Sequence, residues 1–410
     1  MGNVQFVTAE AAAKHKRNVR TLGITSAIGT FGNSLWYFLL PLYLLLYGAN
    51  LTLLGEVYSA FACASVVGAF VGGVISDYWN VKLTLVLSGL IAGTLLILAG
   101  TTRELTIVLL CLISYVIPLR ISAQARFVLI ARSSEPQNRP LAYATWQTFA
   151  EIGAFIGPIF SGLLLTDRMF QSAFVVAGFL LILVSVMRSL LIFNLESSRK
   201  VKLNMREALL GIRDIPLNSE IGVIVLVLFA TSLLGTVSSF LVSPFSYRAL
   251  GLSPTLIGYM FSLQLLIGAI ILIPGERIAN RIGIRRGALW FLMASSFLEI
   301  AFASLAYSTY PSIYLVISIF VSSQAFAVMA TPLFSAWLYE AAPHGTGGRV
   351  YGTLESMVYL GGIVGPLIGA RLFSLQESLP FFLEGAISVI ILLFATRYFR
   401  HHAKDAACQY

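Results

Sequence analysis

Long apolar runs separated by short polar stretches fill this chain. Twelve can be marked, at about 22–47, 53–76, 83–101, 105–131, 141–166, 172–193, 221–245, 253–275, 287–307, 311–338, 350–374 and 379–399. A helix needs roughly 20 apolar residues to cross a bilayer, and each run is about that long. Within the runs, apolar residues follow one another instead of alternating with period two, which argues against a lipid-facing β-barrel. The pattern predicts an all-α membrane protein with twelve transmembrane helices, called segments 1 to 12 below.

The runs fall into two sets of six. The expected division is residues 1–193, a linker at 194–220, and 221–410. The linker contains "NMREALLGIR", which has the makings of an amphipathic helix on the cytoplasmic face, although a spacer is the preferred reading. The two sets resemble each other. Segment 5 reads "AYATWQTFAEIGAFIGPIFSG" and segment 11 reads "VYGTLESMVYLGGIVGPLIGA". Tyr143 precedes Pro158 by the same 15 residues that separate Tyr351 from Pro366, and the two copies are offset by 208. The loops "GGVISDYWNVK" and "GERIANRIGIRR" also match, with Asp77 aligned to Asn280. Repeated halves in a polytopic chain point to a transporter with its substrate held between them.

Composition supports the membrane reading. Of 410 residues, 58% are hydrophobic and 11% charged, against about 25% charged in soluble domains; the mean hydropathy is +0.85. The net charge is +9, and its placement is informative. Lys14, Lys16, Arg17 and Arg20, the linker cations from Arg199 to Arg213, Arg277 to Arg286, and Arg397, Arg400 and Lys404 all fall on one side if twelve helices alternate. The positive-inside rule then places both termini in the cytoplasm, for which the cell membrane is the expected location. Orientation explains these basic runs better than nucleic-acid binding.

Cys63, Cys111 and Cys408 fit neither a disulfide framework nor a metal site. The first twenty residues lack an apolar core, so no cleavable signal is expected, and "MGNVQF" lacks the Ser or Thr of a myristoylation signal. The chain shows no metal-ligand cluster, no nucleophile beside a base and no phosphate loop, and the four histidines all fall in cytoplasmic stretches. Neither an enzyme nor a cofactor is expected.

At the repeated loops and glycine patterns the chain resembles the major facilitator superfamily over nearly its whole length. That family's loop signature is roughly Gly-x-x-x-Asp-Arg-x-Gly-Arg-Arg. Gly73, Asp77 and Lys82 fit it in the first copy, while Tyr78, Asn80 and Val81 depart. The second copy keeps Arg281, Gly283 and Arg285, with Glu276 and Asn280 where Gly and Asp are usual. The resemblance implies a cytoplasmic gate. Asp77 would face the positive N-terminal end of segment 11, with Lys82 and Arg126 completing a charge network. Proton-driven exporters of the family carry an Arg in segment 4 followed by Gln and Gly. Arg120 matches, Gln124 comes one place late, and Ala125 replaces the Gly. Gly153, Gly157, Pro158 and Gly162 in segment 5 are similar to the antiporter pattern, and Gly365 and Pro366 repeat it in segment 11. Such spacing also serves helix packing alone.

Ionisable groups at membrane depth face a partner or a wet cavity. Arg120 falls near the middle of segment 4, with Gln124 one turn on along the same face, whereas Arg126 lies 240° around by helix geometry. The expected partner of Arg120 is Glu151 in segment 5. Burial opposes the charged form of a carboxylate and a nearby cation favours it, so a Glu with a movable Arg partner is a candidate proton carrier. Glu355, equivalent to Gln147, is a second candidate. Glu299 falls midway along segment 9, which is peripheral in this superfamily, and calls for a neighbouring partner. Glu56 and Glu384 are expected to lie near the outer surface in solvent.

The resemblance places segments 1, 4, 7 and 10 around the central cavity. Asn33, Trp36, Tyr37, Gln124, Ser232, Thr236 and Gln324 are then the candidate lining residues. Aromatic faces with a few amides suit an amphipathic organic molecule. Segment 1 has no carboxylate between Leu22 and Tyr47, which disfavours a strict cation exporter. The expected protein is a monomeric, proton-coupled exporter of small amphipathic compounds; the alternative is uptake of an organic anion or sugar together with protons.

Overall fold

The computed structural model describes residues 9–133, 139–193, 220–308, 311–341 and 347–407. Its helices follow the twelve expected segments in order. Segment 1 is α1 (Ala9–Ser34) and α2 (Leu40–Leu46), segment 2 is α3 (Leu51–Tyr78), segment 3 is α4 (Val81–Thr101) and segment 4 is α5 (Leu105–Arg132). Segment 5 is α6 (Arg139–Ala154) and α7 (Gly157–Thr166), and segment 6 is α8 (Phe170–Leu191). Segment 7 is α9 (Glu220–Ser238) and α10 (Val242–Arg248), joined by a 3₁₀ turn at Ser239–Leu241. Segments 8 to 12 are α11 (Pro254–Ile282), α12 (Ile284–Ser304), α13 (Ile313–Ala341), α14 (Gly347–Leu375) and α15 (Leu379–Ala407). Among the described residues ten helical spans are long and apolar enough to cross a membrane, and Leu360–Leu375 in α14 is a shorter apolar stretch. The segment 194–219, the expected spacer, lies outside the described residues.

Three segments are broken, each at a proline. Pro41 sits in the first turn of α2 and Pro158 in the first turn of α7. There the missing N–H costs nothing, because first-turn amides have no helical partner. Pro244 stands near the start of α10, just after the 3₁₀ turn. Pro118, Pro274 and Pro366 lie inside continuous helices instead.

The chain forms two compact units. One comprises 1–38 and 64–202; the other comprises 39–63 and 203–410. The second unit thus takes in a piece of segments 1 and 2 that the two-half reading assigned to the first. In it, Tyr58 stacks on Phe240 with ring centroids 5.0 Å apart. A β-carbon on Gly55 would lie 2.8 Å from both Pro366 O and Ala370 Cβ.

Each unit has its own apolar core. In the first, Leu22, Leu85, Ala125, Leu129 and Ile130 are buried together. In the second, Ala288, Leu333, Phe334, Trp337 and Leu392 form the equivalent cluster. The glycine pattern of segment 5 makes a packing seam. Added β-carbons would lie 2.0 Å from Ala27 O at Gly153 and 1.9 Å from Ser34 Oγ at Gly157. Thr30 crosses the seam and donates to Ala150 O at 2.7 Å. Gly361 and Gly365, each 208 residues further on (361 − 153 and 365 − 157), repeat the seam against α9, where their β-carbons would meet Leu233 and Thr236.

Candidate functional site

The polar interior of the first unit is built on α1, α3, α5 and α8. Gly68 and Gly72 let α3 approach α5 so closely that their β-carbons would lie 2.8 Å from Arg120 Cβ and 3.3 Å from Gln124 Cβ, respectively. Arg120 and Gln124 therefore share a face, as their spacing predicts. Arg120 Nε donates to Ser65 Oγ on α3 at 3.2 Å. Arg126, further along α5, places its guanidinium 5.9 Å from the centre of the Trp146 ring, and its Nε is buried without a hydrogen-bond acceptor. Trp146 is itself fixed by its indole N–H donating to Ser26 Oγ at 2.7 Å. Arg188 on α8, only 3% exposed, donates from Nε to Thr25 Oγ1 at 3.1 Å. The charges of Arg120 and Arg188 both act on or feel that of Arg126, so the three guanidiniums form one electrostatic group.

The expected pairing of Arg120 with Glu151 takes a different form. Glu151 Oε1 accepts from Gln147 Nε2, one turn away on the same helix, at 2.8 Å. An intrahelical amide thus meets the carboxylate, and the Arg120 Nε goes to a hydroxyl on α3.

The cavity candidates of this unit divide. Tyr37 is 46% exposed, packs edge-on to Trp36 and Phe38 and feels the charge of Arg120. Asn33 Oδ1 accepts from Tyr115 OH at 3.1 Å. Trp36, expected to line a cavity, is 2% exposed and packs edge-on to Tyr115, with its ring also against Phe174. It belongs to the core, because a large ring at this position fills the space between α1, α5 and α8.

The polar interior of the second unit carries the opposite charge. Glu299 on α12 is 7% exposed and accepts from Ser323 Oγ on α13 at 3.0 Å. Ser323 also lies 3.2 Å from both the hydroxyl and the carbonyl of Ser295. Glu384 on α15 accepts from Ser238 on α9. It is half-buried and held by this hydroxyl, which corrects the expectation that it is simply solvated. Gly235 gives it room, since a β-carbon there would lie 3.6 Å from Glu384 Oε1. The two carboxylates are close enough for the charge of Glu299 to act on Glu384, so Glu299 finds its neighbour on segment 12. One turn from each, Phe302 and Phe381 pack on Phe245 with centroids 5.3 and 4.6 Å away.

Thr236 corrects another expectation. Its hydroxyl donates to Leu233 O at 2.8 Å and lies 3.3 Å from Gly361 O, so it belongs to the α9–α14 seam instead of a cavity wall. Ser232 and Gln324 are half-buried in the same unit.

The two gate loops are secured differently. In the first, Gly73 has open space around its α-carbon, and Lys82 is half-buried. Asn80, which departs from the family signature, caps α4 by accepting from Leu83 N at 3.2 Å. In the second, Gly283 has φ 93° and ψ 134°, a conformation that side-chain-bearing residues avoid. Arg281 is exposed, and Arg285 lies over the Trp337 ring at 6.0 Å. The side chains of Asp77 and Glu355 lie outside the described residues. Sequence reading missed Ser65, Tyr115 and Arg188; a cation inside the apolar run of segment 6 was the available signal for the last. No group of three or more potential metal ligands occurs among the described residues.

Comparison with known proteins places this architecture. A point mutant of the nucleoside transporter NupG superposes with a TM-score of 0.76 at 13% identity, covering 93% of this chain and 99% of its own. A transporter of the POT family in complex with a thioalcohol-conjugated peptide gives 0.74 at 14% identity, covering 94% and 96%. A bacterial homologue of the human lysosomal transporter Spinster, inward-facing and occupied, gives 0.72 at 13% identity, covering 92% and 96%. At such identities the likeness shows the fold. No curated protein matches the sequence. The family model of the Major Facilitator Superfamily matches residues 22–241 and again 223–409, so each set of six segments carries the signature. The chain is therefore a member of the Major Facilitator Superfamily, a multi-pass membrane transporter and not an enzyme.

Proposed function

We propose that this transporter moves a small amphipathic organic molecule by alternating access and couples that movement to protons, as an exporter. The observation that carries the coupling is the pair Glu299 and Glu384. In the second unit each carboxylate is held by a serine hydroxyl, and the charge of Glu299 acts on Glu384. Like charges at membrane depth are costly together, and a single shared proton relieves that cost. Glu151 remains a proton carrier candidate in the first unit, and Glu355 a further one. The segment 5 glycines favour export by their likeness to the antiporter pattern. The exporter works as a monomer in the cell membrane, with both termini in the cytoplasm, as the distribution of Lys and Arg indicates.

A second reading, uptake with protons, draws on the arginines of the first unit, which suit an organic anion. The deciding experiment uses proteoliposomes with a pH-sensitive dye inside. Candidate compounds are added without an imposed gradient. Proton movement opposite to compound movement, lost in Glu299→Gln, establishes antiport. Movement in the same direction establishes symport. Compound movement without any proton movement overturns the coupling.

A further inference from the structure

Three arginines stand in the polar interior of the first unit. Arg126 and Arg188 both stand on helical spans long and apolar enough to cross a membrane, and the charge of Arg120, on the same span as Arg126, acts on Arg126. An arginine does not shed its charge in a protein, so the group is cationic in every state. The partners of Arg126 and Arg188 named above are neutral, the Trp146 ring and the Thr25 hydroxyl. Arg126 is the most telling of them. Its Nε is shut away from solvent without an acceptor, the charge of Arg120 acts on it, and its own charge acts on Arg188. Glu151, the carboxylate within the described spans of this unit, is engaged by Gln147.

A buried cation is costly until an anion meets it. Guanidinium groups match the planar oxygens of carboxylates, sulfonates and phosphates with paired hydrogen bonds. The ring of Tyr37, 46% exposed beside Trp36 and Phe38 and within reach of the Arg120 charge, supplies an apolar face. We propose that this group receives the anionic head of the transported molecule, an oxyanion on an amphipathic organic body, with Arg126 as its main contact and Arg120 beside it. The proposal rests on the reading of the chain as a transporter of small organic molecules and names their class. Arg188, held by Thr25, is a positioning residue whose charge raises the local potential.

The test is a binding series on the purified full-length protein in nanodiscs, at one pH and with no gradient. Benzoate, benzenesulfonate and phenyl phosphate are compared with benzamide and benzylammonium through quenching of tryptophan fluorescence. At least one anion is expected to bind about tenfold more tightly than benzamide, a difference of about 1.4 kcal/mol, and benzylammonium not to bind. Arg126→Gln should abolish the preference, and Arg126→Lys should keep part of it. Equal or tighter binding of benzamide or benzylammonium, or failure of all three anions, overturns the proposal. So does an anion preference that survives in Arg126→Gln. If that variant does not fold, the series on the unaltered protein decides alone. Proton movement is not read here, so an anion preference without coupled flux leaves this proposal standing and removes the coupling, and the reverse result does the opposite.

Discussion

The two units are built on one seam and charged in opposite ways. In the first, Gly153 and Gly157 bring α6 and α7 against α1; in the second, Gly361 and Gly365 bring α14 against α9. A threonine hydroxyl crosses each seam to a backbone carbonyl. Yet the interior of the first unit holds three arginines and that of the second a carboxylate pair. Close packing in lipid demands small residues wherever backbones meet, so the seam is preserved. Interior charge is not needed for that packing and is free to diverge. On our proposals, substrate charge belongs to the first unit and proton handling to the second.

The largest effect that would break this comparison is on the seam. Gly157→Leu and Gly365→Leu should each destabilise the protein by about 3 kcal/mol or more, because overpacking a close contact costs roughly 1–3 kcal/mol even where neighbours can shift. Thermal denaturation followed by size-exclusion chromatography measures it, and a tolerated leucine in one unit alone would end the equivalence.

Glu299→Gln and Glu384→Gln should each lower proton-coupled flux about tenfold, or about 1.4 kcal/mol, with folding retained. The double variant should be little worse than either single one if the pair shares a proton. Additive losses in the proteoliposome assay would show two independent carboxylates.

The loops sharpen the contrast by smaller amounts. Gly283→Ala forces a side chain into a conformation that costs of order 1–3 kcal/mol. Asn80→Ala removes a helix cap worth about 1 kcal/mol, while Asn80→Gly should cost only a few tenths. Denaturation midpoints rank the three, and equal losses at Gly283 and Asn80 would mean that the loops are held alike after all.

Much of the architecture was legible in the residues. The apolar runs located the helices because lipid demands continuous apolar length and internally satisfied backbone. The 208-residue repeat located both seams, since an added β-carbon at any of the four glycines would crowd or collide with its neighbour. The arginine in segment 4 was found, and its shared face with Gln124 follows from helix geometry. The partners were not legible. Glu151 takes Gln147 on its own helix, and Arg120 reaches a serine on α3, because choices among nearby polar groups depend on side-chain reach across helix contacts. Trp36 and Thr236 were read as cavity residues and lie in packing contacts, since polarity along one helix does not tell which neighbour faces it.

The sequence by itself determined that this is a twelve-segment membrane protein with repeated halves, and which positions must be small. Those properties follow from local composition and period. Only the tertiary structure decided that Pro158 breaks its segment while Pro366 does not, that the charge of Glu299 acts on Glu384, and that the charge of Arg126 acts on Arg188. Each charged grouping depends on helices far apart in the chain coming together, and the electrostatic energy that gives these groups their roles exists only once they are side by side.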